Sequence, residues 1–216
     1  MSTSGIVLDC RNLGDLYDDS RYHHTLTPTA CVPVRGHAGR GIKFNGTTSS
    51  IDAGASSALQ NSTSKSVFAW IKPSAFIAAY RVICAAGFWT SPYGDIAYCN
   101  NGSNGITIAL KNTLGSDIGL AITFTPDKWI HVGYTWDGAN AYAYKNGLQV
   151  DTGAMSGTLA CTSTNLFIGS RDGTQDFYDS IASAITIYNY ALDADDIRRN
   201  YLSKAYLYQE HPVRIP

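Results

Sequence analysis

About a dozen short segments rich in β-branched and aromatic residues run the length of this 216-residue chain, each closed by Gly, Asn, Asp or Pro. They fall at 5–8, 41–44, 66–71, 81–85, 95–99, 106–111, 118–123, 129–136, 141–145, 166–169 and 180–188, with no long helical pattern between them. Strands this short and this evenly spaced satisfy their backbones by pairing with one another, which predicts an all-β, two-sheet antiparallel sandwich. The stretch Ile130-His131-Val132-Gly133-Tyr134-Thr135-Trp136 alternates apolar with smaller or polar side chains, the pattern of a strand with two unlike faces. Asp137-Gly138 and Asn146-Gly147 are dipeptides suited to tight hairpin turns, whose central residues need positive φ. Residues 129–151 therefore read as a three-stranded meander.

One helix stands apart, from 194 to about 203. Asp193 suits its N-cap, and Asp195 and Asp196 place carboxylates in the first turn, where the helix dipole favours them. Leu192 and Ile197 occupy the two positions of a hydrophobic staple, and Arg198 and Arg199 follow toward the C-terminal end. Beyond it, 204–216 reads as an extended aromatic tail containing Tyr206, Tyr208 and His211. No internal repeat or linker divides the rest, so 1–203 is expected to be one domain.

Only 15% of residues are charged, while 20 Gly, 20 Ser, 19 Thr and 14 Tyr accompany an apolar fraction of 44%, enough to build a core. The net charge of −1, without runs of Lys or Arg, gives no electrostatic footprint for nucleic acid. No stretch approaches the roughly 18 apolar residues that insertion into a bilayer requires. Five cysteines, an odd number, cannot form a fully paired framework, and they read as small buried hydrophobes. Cys84 and Cys99 could face each other across a hairpin, and the sequence leaves open whether they are linked. The first residues lack a basic and an apolar signal region, so the simplest reading is synthesis without export.

Catalytic chemistry is thinly supplied. Of 17 acidic residues a single one is glutamate, Glu210, which closes any mechanism that needs two glutamates. Asp193 and Asp195 have D-x-D spacing, but the helix cap accounts for them. The histidines His23, His24, His37, His131 and His211 form no zinc-binding spacing, and no G-x-S-x-G elbow or phosphate loop occurs. His131 reads as a packed, hydrogen-bonded strand residue. Trp70, Trp129 and Trp136 read as core. The expectation is a protein that is not an enzyme.

Several segments resemble the LamG-like jelly-roll domains of the concanavalin A-like lectin/glucanase superfamily. Gly39-Arg40-Gly41-Ile42-Lys43-Phe44-Asn45-Gly46, followed by Ser50-Ile51-Asp52, is similar to that family's early strand pair. Ser66-Val67-Phe68-Ala69-Trp70-Ile71-Lys72-Pro73 resembles its "S-A-W-V-K-P" strand. Trp129-Ile130-His131-Val132 with Tyr144-Lys145-Asn146-Gly147 resembles its central meander, and Ile187-Tyr188-Asn189-Tyr190-Ala191-Leu192 its closing strand. The resemblance implies a jelly roll with a glycan-binding face and a frequent rim calcium. Asp15, Asp18 and Asp19 would supply the early acidic loop of that calcium site. Ala182 stands where many members have the late aspartate, with Asp176 and Asp179 just upstream as substitutes. The hydrolases of the superfamily carry an E-x-D-x-x-E motif, which this chain lacks, and retaining hydrolysis needs two carboxyls about 5 Å apart.

For contact with a glycan or partner, the candidates are the loop aromatics Phe88, Trp89 and Tyr93, because Trp and Tyr supply much of the energy at such surfaces. Tyr206, Tyr208 and His211 are candidates for docking the tail on a neighbour. The chain is similar to the small LamG-like proteins of bacteriophage particles. That resemblance implies a non-enzymatic structural or adhesion role in a virion, as a head decoration or tail component. Its partners would be other virion proteins, copies of itself or surface glycans, and it would require no cofactor beyond an optional calcium. A stand-alone, extracellular glycan-binding module is the alternative, and a glycoside hydrolase a distant third.

Overall fold

The computed structural model describes residues 5–60, 63–75, 80–86, 95–99, 104–159 and 165–205. Its strands are β1 (Ile6–Cys10), β2 (Thr27–Thr29), β3 (Val32–Arg35), β4 (Arg40–Lys43), β5 (Ser50–Asp52), β6 (Lys65–Pro73), β7 (Arg81–Ala86) and β8 (Asp95–Cys99). They continue as β9 (Gly105–Lys111), β10 (Asp117–Thr123), β11 (Ile130–Trp136), β12 (Asn140–Lys145), β13 (Leu148–Ala154), β14 (Phe167–Ile168) and β15 (Ser180–Tyr188). A single helical turn, α1 (Ser57–Gln60), and the helix α2 (Ala194–Ala205) complete the elements.

The strands form two antiparallel sheets stacked as a jelly-roll sandwich. The eight-stranded sheet runs β13-β12-β11-β6-β15-β4-β3, with β1 also on β15, and the seven-stranded sheet runs β10-β9-β8-β7-β14-β5-β2. Two strands go beyond the sequence expectation, β2 and β3, because Pro28 and Pro33 argue against a ladder. Both lie at a sheet end, where a missing N–H breaks no second row of hydrogen bonds.

The meander of β11, β12 and β13 forms as expected, with its two turns built differently. Asn146 and Gly147 both take positive φ, 52° and 76°. At the other turn only Gly138 does, and the Asp137 carboxylate instead accepts the Ala139 and Asn140 N–H groups at 2.8 and 2.7 Å. The side chain there does the work that a second positive φ was expected to do. Cys84 pairs across the β7–β8 ladder with Ala97, and Cys99 with Arg81, so the two cysteines are not opposite each other. Cys84 is a free buried thiol, which burial pushes up to about 12.

Between the sheets lies a continuous core that includes Val67, Ala69 and Ile71 of β6, Val132, Tyr134 and Trp136 of β11, and Ile185 and Ile187 of β15. A polar cluster crosses it. The Lys65 ammonium on β6 donates to Asp95 Oδ1 on β8 at 2.7 Å and to the Leu59 carbonyl at 3.3 Å, and Tyr134 Oη donates to Asp95 Oδ2 at 2.7 Å. Lys65 and Asp95 are 2% and 5% exposed, so each charge depends on the other for compensation.

Lys65→Met removes one partner and strands a buried carboxylate. Denaturant unfolding is expected to show a loss of about 3–5 kcal/mol. Adding Asp95→Asn, which keeps an acceptor for Tyr134 without the charge, is expected to restore much of it.

Candidate functional site

Phe88, Trp89 and Tyr93, and likewise Tyr206, Tyr208 and His211, lie outside the described residues. The aspartates expected in the calcium loop are within them. Asp18 is buried, and its carboxylate is occupied by protein donors. Oδ1 accepts the Asp9 and Ser20 N–H groups at 2.8 and 2.9 Å, and Oδ2 accepts Ser20 Oγ, the His24 N–H and His24 Nδ1 at 2.8–2.9 Å. Burial alone would raise this carboxyl, but the three backbone N–H groups and His24 together hold it below its usual range. Its role here is to fold the 18–24 loop.

Asp15 reaches Arg40 at 3.2 Å, the Asp19 backbone is tied to Asp9, and Asp176 pairs with Arg171. The Asp179 side chain lies against Gly46. Among the described residues no three His, Cys, Asp or Glu side chains come together as a metal-holding group.

A different place gathers functional groups: the outer face of the eight-stranded sheet. On β6, Ser66, Phe68 and Trp70 point away from the core, as do His131, Gly133 and Thr135 on β11. At Gly133 a Cβ would collide with the Val67 carbonyl and the Phe68 ring, so glycine is what lets that ring lie flat across the strand. Bulges set the phase of the neighbouring strands. The β1 bulge between Ile6 and Leu8 sends Val7 and Leu8 both to the core and leaves Ile6 and Asp9 outside. The β15 bulge between Ala182 and Ala184 turns Ala184, Thr186 and Tyr188 outward.

Helix α2 lies over this face. Asp193 Oδ1 accepts the Asp196 N–H at 2.7 Å, as an N-cap does, and Leu192 and Ile197 join Phe68, Tyr144 and Tyr188 in one buried cluster. Ser66 fixes the approach: its Oγ donates to the Tyr190 carbonyl at 2.8 Å and accepts the Leu192 N–H at 2.9 Å. Tyr201 stacks on Trp70 with centroids 5.7 Å apart and packs against Gly147, while His37 stacks on the Trp70 ring at 3.6 Å. Trp70 is therefore buried outside the sandwich, not in its core. Trp129 lies half-buried just before β11, and Trp136 alone of the three is fully interior.

Between α2 and the sheet opens a cleft of about 300 Å³. Its floor is aromatic, from Phe68, Trp70, His131 and Tyr188, with Thr186 and Ala184 beside them. Asn200, Ser203 and Lys204 of α2 form one wall, and Ile6, Asp9 and Arg11 the other. Arg11 Nε donates to Asp9 Oδ2 at 2.8 Å. Burial pulls the Lys204 ammonium below its usual value, with Asp9 opposing that shift and Arg11 adding to it.

His131 is packed as expected but not fully hydrogen-bonded. Its ring stacks on Phe68 at 5.2 Å, and its Nδ1, like Trp70 Nε1, is buried without a hydrogen-bond partner among the described residues. Burial first, then the nearby Lys204 and His37, lower it to about 3, so it is a neutral ring. None of the described residues lining the cleft poises it as a base. The sequence signal for this site was the β6 pattern Ser66-Val67-Phe68-Ala69-Trp70-Ile71, in which both alternating sets are largely apolar, so that the outer face needs a cover.

The Laminin_G_3 family model, described as concanavalin A-like lectin/glucanases superfamily, matches residues 45–198. No curated protein matches the chain. Among solved structures, the botulinum neurotoxin serotype D ligand binding domain in complex with N-acetylneuraminic acid is similar with a TM-score of 0.76 and 16% identity, over 94% of this chain and 52% of that one. The binding domain of Paraclostridial Mosquitocidal Protein 1 gives 0.75 and 15% over 93% and 52%. The binding domain of botulinum neurotoxin DC in complex with SialylT gives 0.74 and 17% over 95% and 52%. The chain thus spans about half the length of these neighbours, and the likeness at such identity is one of fold.

A histidine held neutral in the fold takes up a proton more readily once unfolded, below its ordinary value of 6.5, so acid favours the unfolded chain. Stability is expected to be fully present above pH 6.5 and to fall as pH drops toward 4. His131 should account for about 3 kcal/mol of that loss by pH 4.5. Urea unfolding of His131→Phe, which keeps the stack and loses the titrating group, should show a correspondingly shallower decline.

Proposed function

Since the chain belongs to the concanavalin A-like lectin/glucanases superfamily, we propose that it is a non-enzymatic recognition domain that binds glycans in the cleft beneath α2. The observation that carries this reading is the composition of the cleft: an aromatic floor flanked by polar side chains of α2 and by the Asp9–Arg11 pair. These rings are 4–8% exposed and give the floor a small apolar area for sugar C–H groups, while the surrounding amide, hydroxyl and charged groups serve the hydroxyls. Asp9 is the one carboxylate lining the cleft among the described residues, and it is tied to Arg11. Glycoside hydrolysis uses two carboxyls, so this arrangement favours binding over turnover. That two fold neighbours are described in complex with N-acetylneuraminic acid and SialylT is in keeping with it.

We place this recognition on a bacteriophage particle, among copies of the chain or other virion proteins, on the strength of the phage-protein resemblance; an extracellular setting is the alternative. Mass spectrometry of purified particles tests that placement, and absence of the chain from them refutes it.

On a glycan array the protein should show saturable binding, equal with and without chelator. Asn200→Ala and Lys204→Ala should each weaken it roughly three- to tenfold, the worth of one hydrogen bond. A blank array, or release of reducing sugar from a retained glycan, would overturn the reading.

A further inference from the structure

A second cleft, of about 230 Å³, lies beside the first, with Asp19, Ser20, Arg21 and His23 at its far side. Ile6, Asp9 and Arg11 line both. The two are therefore one groove across the outer side of β1, from α2 to the loop at 19–23. Each alone is at or below the small end of ligand pockets, whereas together they suit a chain of several sugar rings.

Arg11 stands at the junction. Its Nε is held at 2.8 Å by Asp9, which is 5% exposed, so a buried carboxylate sets the plane of the guanidinium. The Arg11 side chain itself stays 58% exposed, and its terminal nitrogens make no hydrogen bond to the described residues. A fixed plane with its Nη1/Nη2 edge turned from Asp9 matches a carboxylate in paired, charge-assisted hydrogen bonds.

The ends of the groove agree with this. Lys204 contributes a cation at the α2 end. Arg21 contributes one at the other, steadied by its 2.8 Å bond to Tyr22 Oη. The loop carrying Arg21 and His23 is pre-formed, because the Asp18 carboxylate holds its backbone and the Asp18 carbonyl lies 3.1 Å from His23 Nδ1. A rigid loop spares the ordering cost that weakens binding.

We infer that the groove takes a carboxylate-bearing oligosaccharide that reaches from α2 to the 19–23 loop, with Arg11 pairing a carboxylate near its middle. This rests on the glycan reading of the larger cleft and adds to it the class and length of the ligand.

Calorimetry of the full chain tests it with two acidic ladders, oligogalacturonides and α2,8-linked oligosialic acids, each from monomer to tetramer and each against its carboxyl-reduced, neutral form. Affinity for at least one acidic ladder should rise with length, exceed that of its neutral form and fall with salt. Arg11→Ala should cost roughly ten- to a hundredfold against the acidic ladder, as charge-assisted hydrogen bonds do, and no more than about tenfold, the worth of one neutral hydrogen bond, against the neutral one. Arg11→Lys, which keeps the charge but not the plane, should recover little. Arg21→Ala, at an exposed site, should weaken the longer members alone. Equal affinity for acidic and neutral forms, or an Arg11→Ala protein that binds the acidic ladder like the parent, overturns the inference and leaves the glycan reading standing. Failure of every ladder together with a blank array removes both.

Discussion

The eight-stranded sheet is apolar on both of its faces, and much of the molecule follows from that. One face is covered by the second sheet, as in any sandwich. The other carries Phe68, Trp70, Tyr144 and Tyr188, which would form a large exposed aromatic patch if left in water. Helix α2 and the His37 turn between β3 and β4 cover it, and the groove is the part of that face they leave open. The groove and the second core are thus two portions of a single layer.

Buried charge is handled by the same economy of pairing at two places. Lys65 and Asp95 compensate each other between the sheets, and Tyr134 takes the remaining oxygen. Asp18 is compensated by backbone donors and His24, and in turn gives the early loop its shape. A carboxylate so fully engaged organises its loop as a bound cation would organise such a loop, by collecting donors where the cation collects oxygens.

Much of the architecture was legible in the sequence. The meander, the staple at Leu192 and Ile197 and the Asp193 cap are local patterns, and local patterns survive folding when tertiary packing agrees with them. The proline-bearing strands β2 and β3 were not legible, because only their place at the sheet ends makes the missing donors harmless. The groove was not legible either. Asp9 comes from the first strand and Arg11 from the turn just after it, Trp70 from the sixth strand and Lys204 from the last helix, and two bulges, which no alternation reveals, help bring them to one side. Trp70 illustrates the limit: its apolar character predicted burial correctly, but not on which side of the sheet.

Because α2 forms a wall of the groove while burying a single residue completely, Ile197, the helix and any occupant share one local equilibrium. A helix that lifts from Trp70 and Tyr144 discards its tenant, and a tenant pressed against Asn200 and Lys204 holds the helix down. Occupancy would then be written into the backbone as slower amide exchange along 194–205, far from the Arg21 end of the groove. The domain would report what it has grasped through the steadiness of its last helix.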